Sequence, residues 1–418
     1  MTSWRRVRLK DTVDIAVGFP FRSEDYSNDP GDVRLLRGDN VSQGHLQWNG
    51  VTRWPAIDAQ RFATYDLDEG DVVLAMDRPW IEAGLKWARV TASDIPALLV
   101  QRVARLRADR DLDQRFMSYV IASPAFTDHV RGVQTGTAVP HISASQILSF
   151  EFQAPPLQEQ LAIAGALGGL DDKIGLNRNM SATLEELARA LFASSFGVLD
   201  PEQLPDGWTA ASLGDHVEVT RGLSYTGAGL ANDGMPLHNL DSIYEGGGYK
   251  YDGLKHYRGD YRGRHVVRAG DLLVANTEQG FGHLLIGFPA LVPQYFGDLS
   301  LFSHHLYRLR TRAASPLTAQ FLYFALMSWR LRQVIVGYSN GTTVNMLPAD
   351  SLQRPRFAVP PADLVQRFDR TVAPLFARQE QLQLESETLA QLRDLLLPKL
   401  MSGEIQLNHA ERAMAEAL

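Results

Sequence analysis

His304 and His305 are a tempting ligand pair, the side chains in this chain whose type most invites metal chemistry. Neighbouring side chains on a strand point to opposite faces, so the pair is expected to hold no ion. Gly246-Gly247-Gly248 has the freedom of a phosphate-cradling loop, but no helix pattern follows it, and it reads as a plain loop. The chain carries no Gly-x-x-x-x-Gly-Lys loop, no Asn-Pro-Pro-Tyr-type amino-methyltransferase motif and no His-Glu-x-x-His pair. It has no cysteine, which excludes disulfides and thiolate metal sites and fits a reducing, cytoplasmic setting. No catalytic residue, no metal and no cofactor of its own are expected. The chain reads as a binder.

What it binds is suggested by a repeat. Sliding the first half forward by about 204 positions lays Trp4, Leu9, Asp11 and Gly18 onto Trp208, Leu213, Asp215 and Gly222. Gly70-Asp71 then meets Gly270-Asp271, Arg105-Leu106-Arg107 meets Arg308-Leu309-Arg310, and Gly136-Thr137 meets Gly341-Thr342. A period this long means two copies of one module. What the copies share cannot distinguish two targets, so shared residues are scaffold, or phosphate contacts if the targets are nucleic acid, and the targets are told apart where the copies differ. Arg105 and Arg107, like Arg308 and Arg310, alternate along a strand and share a face. They are either phosphate contacts or a solvated, paired strand face. The segments that diverge most carry Arg78, Trp80 and Lys86 in the first copy and Asn276, Gln279, Phe281 and His283 in the second. These mix groove-reading side chains with aromatics and are the leading base-contact candidates. Gln134, Thr135 and Thr137, with Asn340 and Thr342, surround the Gly-Thr turns, where amides can pair with adenine but a plain connecting turn is also open. Gly18–Arg22 and Gly222–Tyr225 form a further loop pair, offering Arg22 and Tyr225.

The elements that must position these residues fall into five segments. Residues 1–155 and 198–358 read as mixed, short-stranded recognition domains, with helices expected over Leu112–Ala122 and Thr318–Val336. Residues 156–197 and 359–405 read as long helices, and 406–418 as a tail. Ile163, Leu170, Asn177, Leu184 and Leu191 fall seven apart, with Leu167, Ile174, Ser181 and Ala188 as companion seam. Phe368, Leu375, Leu382, Leu389 and Leu396 repeat the first series 205 residues on. The fold expected is α+β: two pseudo-repeated mixed α/β recognition domains separated by two long helices that form an antiparallel coiled coil. Asn177 on the seam would fix register, unless that turn is frayed and exposed. Gly168-Gly169 and Pro374 weaken their helices at matching places, so a kink or short break is expected there. No apolar run reaches the ~18 residues of a membrane span, and arginines and a lysine occupy the place of a signal peptide. The formal charge of −7 argues against a bulk nucleic-acid binder. Counted by segment, Lys+Arg against Asp+Glu is 18 to 20 over 1–155 and 14 to 14 over 198–358, but 3 to 5 over 156–197 and 6 to 9 over 359–418. The acidity on the helices hints that they face a protein partner.

Pro155-Pro156-Leu157-x-Glu159-Gln160, followed by Ile163-Ala164 and Leu170-Asp171-x-Lys173-Ile174, resembles the central conserved region of Type I restriction–modification specificity subunits. Leu392-Arg393-Asp394-Leu395-Leu396-Leu397-Pro398-Lys399-Leu400-Met401-Ser402-Gly403-Glu404-Ile405 resembles that family's distal conserved region, and Gly136–Ile142 the motif that closes its target recognition domains. The resemblance covers essentially the whole chain. It implies a non-catalytic subunit, with two recognition domains that each read one half of an asymmetric bipartite site on double-stranded DNA. It implies helices that act as spacer and dock methyltransferase subunits, two of them expected, with motor–nuclease subunits joining through that core. Glu159, Gln160, Asp171, Lys173, Arg393 and Lys399 are the docking candidates on the matching motifs. S-adenosylmethionine, ATP and Mg²⁺ would belong to those partners, and no membrane is involved. The second copy departs from the pattern: Asn345-Met346 stands where the first has Pro140-His141, and its helix opens Pro360-Pro361-Ala362-Asp363. A pure protein scaffold, double-headed and binding polypeptides, is the rival reading.

Overall fold

Asp113, Ser123 and Thr318 show how locally the short helices are written. The Asp113 carboxylate accepts the Phe116 amide at 2.7 Å and starts a helix at Gln114–Ala122. The Ser123 hydroxyl accepts the Phe126 amide at 3.2 Å, and Pro124 takes the first turn of the next helix, Pro124–Val133. The Ser-Pro step that closes one helix thus opens another. The stretch expected as one helix over Thr318–Val336 divides in the same way, into Ala319–Met327 and Trp329–Val336 on either side of Ser328.

The computed structural model describes residues 4–48, 50–136, 139–279, 282–341 and 344–405. It divides into two compact units, residues 1–175 with 387–418, and residues 176–386. The units therefore cut across the long helices. In the first unit a five-stranded sheet runs in the order Val13–Val17, Val103–Ala108, Val72–Ala75, Trp87–Arg89, Gln43–Gly44. In the second, a four-stranded sheet runs Val217–Arg221, Leu306–Thr311, Leu272–Ala275, Pro289–Leu291. The first four strands of the former match the latter in order and in antiparallel pairing. Each unit adds a second mixed sheet, three-stranded around Val33–Leu36 in the first and five-stranded around Met235–His238 in the second.

Two 40-residue helices, Leu157–Phe196 and Ala362–Met401, contribute to both units. Within the second unit their pairing is antiparallel. Asn177 meets Glu385, the Gln379 amide donates to the Ser181 carbonyl at 3.0 Å, and the Phe192 and Phe368 rings lie 5.6 Å apart. Within the first unit Asp171 meets Arg393, and Ile163, Leu167, Leu170 and Ile174 join Leu389, Leu396 and Leu400 in one core. The seam side chains also pack on the domains: Phe116 and Tyr119 share that core, and Phe192 and Phe196 pack against Phe321 and Phe368 in the second unit. Fully burying one such ring contributes about 1.5–3 kcal/mol, so helix and domain stabilise each other.

The break expected at Gly168-Gly169 and Pro374 is absent, and both helices run on as single elements. Gly168 serves another purpose. A Cβ there would fall 2.2 Å from the Arg115 guanidinium, which donates to the Gly168 carbonyl at 2.7 Å and to Asp172 at 2.5 Å. Asn177 is buried rather than frayed. Its Nδ2 donates to Glu385 Oε2 at 3.0 Å and to Ser386 Oγ at 3.3 Å, while its Oδ1 has no partner among the described residues. No described helix is long and apolar enough to cross a membrane.

Candidate nucleic-acid interface

The shared Gly-Asp and Arg-Leu-Arg landmarks turn out to face each other inside each sheet. Arg107 donates from Nε and Nη2 to the two oxygens of Asp71 at 2.6 and 2.8 Å, and Arg310 does the same to Asp271 at 2.8 and 2.5 Å. Such a bidentate, charge-assisted pair is among the stronger side-chain contacts. Arg105 and Arg308 are buried and donate to carbonyls, Arg105 to Asp66 at 2.8 Å and Arg308 to Val266 at 2.6 Å. All four guanidiniums are committed internally. They brace the sheets, which is the paired-face alternative, while Arg107 and Arg310 keep 35% and 41% of their side chains exposed.

The shared glycines are equally structural. A Cβ on Gly18 would lie 2.3 Å from the Val100 carbonyl, and one on Gly222 would lie 2.2 Å from the Ser303 oxygen. The close approach ties each of these loops to the turn before its sheet's long strand. Gly136 and Gly341 hold φ of +90° and +145°, a region that favours glycine. Beside them Thr135 exchanges backbone bonds with His141 at 2.8 and 2.7 Å, and Asn340 does so with Met346 at 3.0 and 2.8 Å. Thr137, Thr342 and Phe281 lie outside the described residues.

Equivalent backbone bonds give the two rims a common frame. The Met76 amide donates to the Arg102 carbonyl as Asn276 does to His305, and Ile142 donates to Met76 as Leu347 does to Asn276. On the first rim, Asp77 Oδ1 meets His141 Nδ1 at 2.7 Å, and Asp77 Oδ2 lies 3.7 Å from Arg102 Nε. Arg78 is exposed, and its amide donates to the Pro140 carbonyl at 2.7 Å. Lys86 is half-buried. Burial lowers its ammonium from the ordinary lysine value, Asp39 holds it up and Arg78 depresses it further. Trp80 stacks beneath Arg131, 4.7 Å from the ring centre. Arg22 extends into solvent beside Glu24, while its neighbours Phe19 and Phe21 belong to an aromatic core with Trp54 and Phe62.

The second rim has different chemistry on the same frame. His304 and His305 occupy a turn, not a strand, and their rings lie side by side, tilted by 40° with centroids 3.9 Å apart, instead of pointing apart. His305 Nδ1 contacts Thr277 Oγ1 at 2.9 Å, and Arg221 donates to the His304 carbonyl at 3.2 Å. Burial holds the His305 imidazole below its ordinary value, with His304, Arg221 and Lys255 adding to the effect against Asp241. Tyr225 sits edge-on to His304 at 6.3 Å. Asn276 is buried and donates to the His304 carbonyl at 3.0 Å, so it supports the turn and is withdrawn from the contact surface. The adjoining loop is clamped from both sides. The Glu278 carboxylate accepts the amides of Leu284, Leu285 and Ile286 at 2.8, 3.2 and 3.0 Å, and Arg332 donates to the carbonyls of Ile286 and His283. Burial pushes Arg332 down to about 10, with Glu278 opposing. Gln279 and the left-handed His283 (φ +50°) are the candidates this clamp presents. Among the described residues no group of three or more acidic or histidine side chains could hold a metal ion.

Of the docking candidates, Gln160 is buried: its amide donates to the Pro155 carbonyl at 2.9 Å and accepts from the Asp113 amide at 2.9 Å. Asp171 accepts the Tyr119 hydroxyl at 2.5 Å and Arg393 at 2.8 Å. These three side chains fasten the helices to the first domain, and Asp171 and Arg393 keep 29% and 30% of their side chains exposed. Glu159, Lys173 and Lys399 are half-buried on the helices. Sequence reasoning passed over Arg102, Arg221 and Lys255, and set aside His304-His305 as a failed metal pair. The signal for Arg102 and His304-His305 lay in their shared place, just before each Arg-Leu-Arg strand.

Residues 1–186 match the Type I restriction modification DNA specificity domain. The MjaVIII specificity subunit of Methanocaldococcus jannaschii, a Type I restriction enzyme component, is 30% identical over 189 residues, 45% of this chain and 44% of that one. The EcoAI specificity subunit of Escherichia coli is 33% identical over 158 residues, 38% of this chain and 26% of that one. The matched stretch thus spans less than half the length of either relative. A Type I restriction-modification S subunit from M. genitalium shares the fold, with a TM-score of 0.52 at 14% identity over 96% of both chains. Over its first 186 residues the chain is thus similar to the DNA specificity domain of Type I restriction-modification specificity subunits.

Proposed function

We propose that this chain is the DNA-reading subunit of a Type I restriction-modification complex. It is non-catalytic. Each recognition domain reads one short word of a bipartite, asymmetric duplex site, and the paired helices set the distance between the words. The observation that carries this reading is a constant frame with a variable rim: the same strand order and the same Asp-Arg braces hold Asp77, Arg102 and His141 in one domain, and Thr277, His305 and Met346 in the other. A double-headed binder with one target class and two different targets needs both features.

The helices also dock methyltransferase subunits, two per complex, and motor–nuclease subunits join through that assembly. Exposed Leu157, Leu161 and Leu395 in the first unit, and Leu176 and Leu187 in the second, are apolar surface for such partners to cover. Adenine methylation with S-adenosylmethionine, and ATP- and Mg²⁺-dependent cleavage, are the partners' work. Selection from a randomised duplex pool tests this reading, using the full chain co-expressed with a Type I methyltransferase subunit. Two short words around a fixed gap are expected. An intact complex that enriches no motif, or whose affinity has no salt slope, favours the protein-scaffold alternative.

A further inference from the structure

Arg78 and Arg102 are two of only four described residues other than glycine that hold a left-handed backbone, with φ of +46° and +72°. A side chain strains the backbone there, and surroundings that impose such strain often mark a working position. Both residues flank one carboxylate. Asp77 precedes Arg78 directly and reaches Arg102 at 3.7 Å and His141 at 2.7 Å. Arg78 is exposed and Arg102 keeps 59% of its side chain in solvent, whereas Arg105 and Arg107 make internal bonds.

We propose that Arg78 and Arg102, gathered around Asp77, take a guanine in the word read by the first recognition domain. This rests on the DNA-reading function above. A guanidinium presents a planar fork that matches the O6 and N7 acceptors of guanine in the major groove. The carboxylate between them decides against phosphate. Asp77 would repel a phosphate oxygen, but it fixes the direction of an arginine fork aimed at a neutral base edge. Asp77 is thus a positioning residue. The second rim places Thr277, Glu278 and His305 at the matched positions, and its word is read without this device.

The test is selection from a randomised duplex pool with the full chain, alone and co-expressed with a Type I methyltransferase subunit, comparing wild type, Arg78→Ala/Arg102→Ala and Asp77→Asn. Wild type is expected to enrich a guanine in one of two words. The double variant should lose that preference by roughly tenfold or more while the other word stays unchanged, which also shows that the chain is folded. Asp77→Asn should blur the same position without altering the salt slope, because phosphate contacts are untouched. A double variant that fails to fold is replaced by Arg78→Gln and Arg102→Gln singly, with the same loss required at the same position. The assignment is overturned if the guanine persists in the variants, or if neither wild-type word contains a guanine that responds. A wild-type complex that enriches no words at all overturns the DNA-reading function itself, a distinguishable outcome.

Discussion

Asp71 and Asp271 sit at the starts of matched strands with their carboxylates almost fully buried, and each takes both donors of one arginine on the next strand. Removing the arginine leaves a carboxylate where water reaches poorly. Arg107→Ala should therefore lower the stability of the first unit by about 2–3 kcal/mol, below the ~3–5 kcal/mol of a fully buried pair because Arg107 itself is partly exposed. Any chain that still folds should select the same DNA words, and an altered word would mean that Arg107 reads bases after all. His238 in the second unit offers a pH test. It lies between the Tyr249 hydroxyl at 2.6 Å and the Ser300 hydroxyl at 2.7 Å, and burial pushes its imidazole down to about 3. An unfolded histidine protonates near 6.5, so below that pH the unfolded chain binds a proton that the folded chain refuses. Stability from this group is therefore full above pH ~6.5 and falls by up to about 1.4 kcal/mol per pH unit toward pH ~3. Thermal unfolding between pH 6.5 and 4.5 should show a smaller loss in His238→Gln than in wild type. Parallel losses in the two proteins would exclude the neutral, buried imidazole.

Adjacent glycines in the first long helix should respond oppositely to the same substitution. Gly169 has nothing within 4 Å of a Cβ, so Gly169→Ala should stabilise the helix by about 1 kcal/mol through propensity alone. Gly168→Ala gains the same propensity but displaces the Arg115 guanidinium from the Gly168 carbonyl and Asp172, two charge-assisted bonds of roughly 1.5–3 kcal/mol each when well buried. With Asp172 more than half exposed, a net loss of about 1 kcal/mol is expected, read as melting shifts of opposite sign. These glycines also mark the limit of what the sequence discloses. Heptad spacing and the repeat made the two helices, their antiparallel pairing and the twin domains legible, because those features are periodic. Gly168 read as a helix breaker because its use lies in Arg115, over fifty residues away, and no local pattern carries that contact. The site divides in the same way. Arg78 and Lys86 could be picked from the diverging segments by type. Arg102 needed the turn that brings it to Asp77, and Asn276 looked like a reader until its burial under His304 was visible.

If the paired helices are a ruler, their length and the spacing of the two words must change together. Each helix rises about 1.5 Å per residue, so removing one heptad from both shortens the pair by about 10 Å. Deleting residues 178–184 with 377–383 removes facing residues, since Ser181 and Gln379 leave together while Asn177 keeps Glu385 and Ser386. A turn of B-DNA spans about 34–36 Å and 10–10.5 base pairs, so the gap between the words should contract by about 3 base pairs. Rotation follows a different rule. One heptad turns a helix by only ~20° from its starting direction. Three base pairs turn the duplex by roughly a third of a revolution. Distance and angle therefore cannot both be restored, and the shortened protein should select the shorter gap with clearly weaker enrichment. Selection of both words at the original gap by a folded deletion variant would show that the helices do not set the spacing, and the distance would then have to be imposed by the partner subunits.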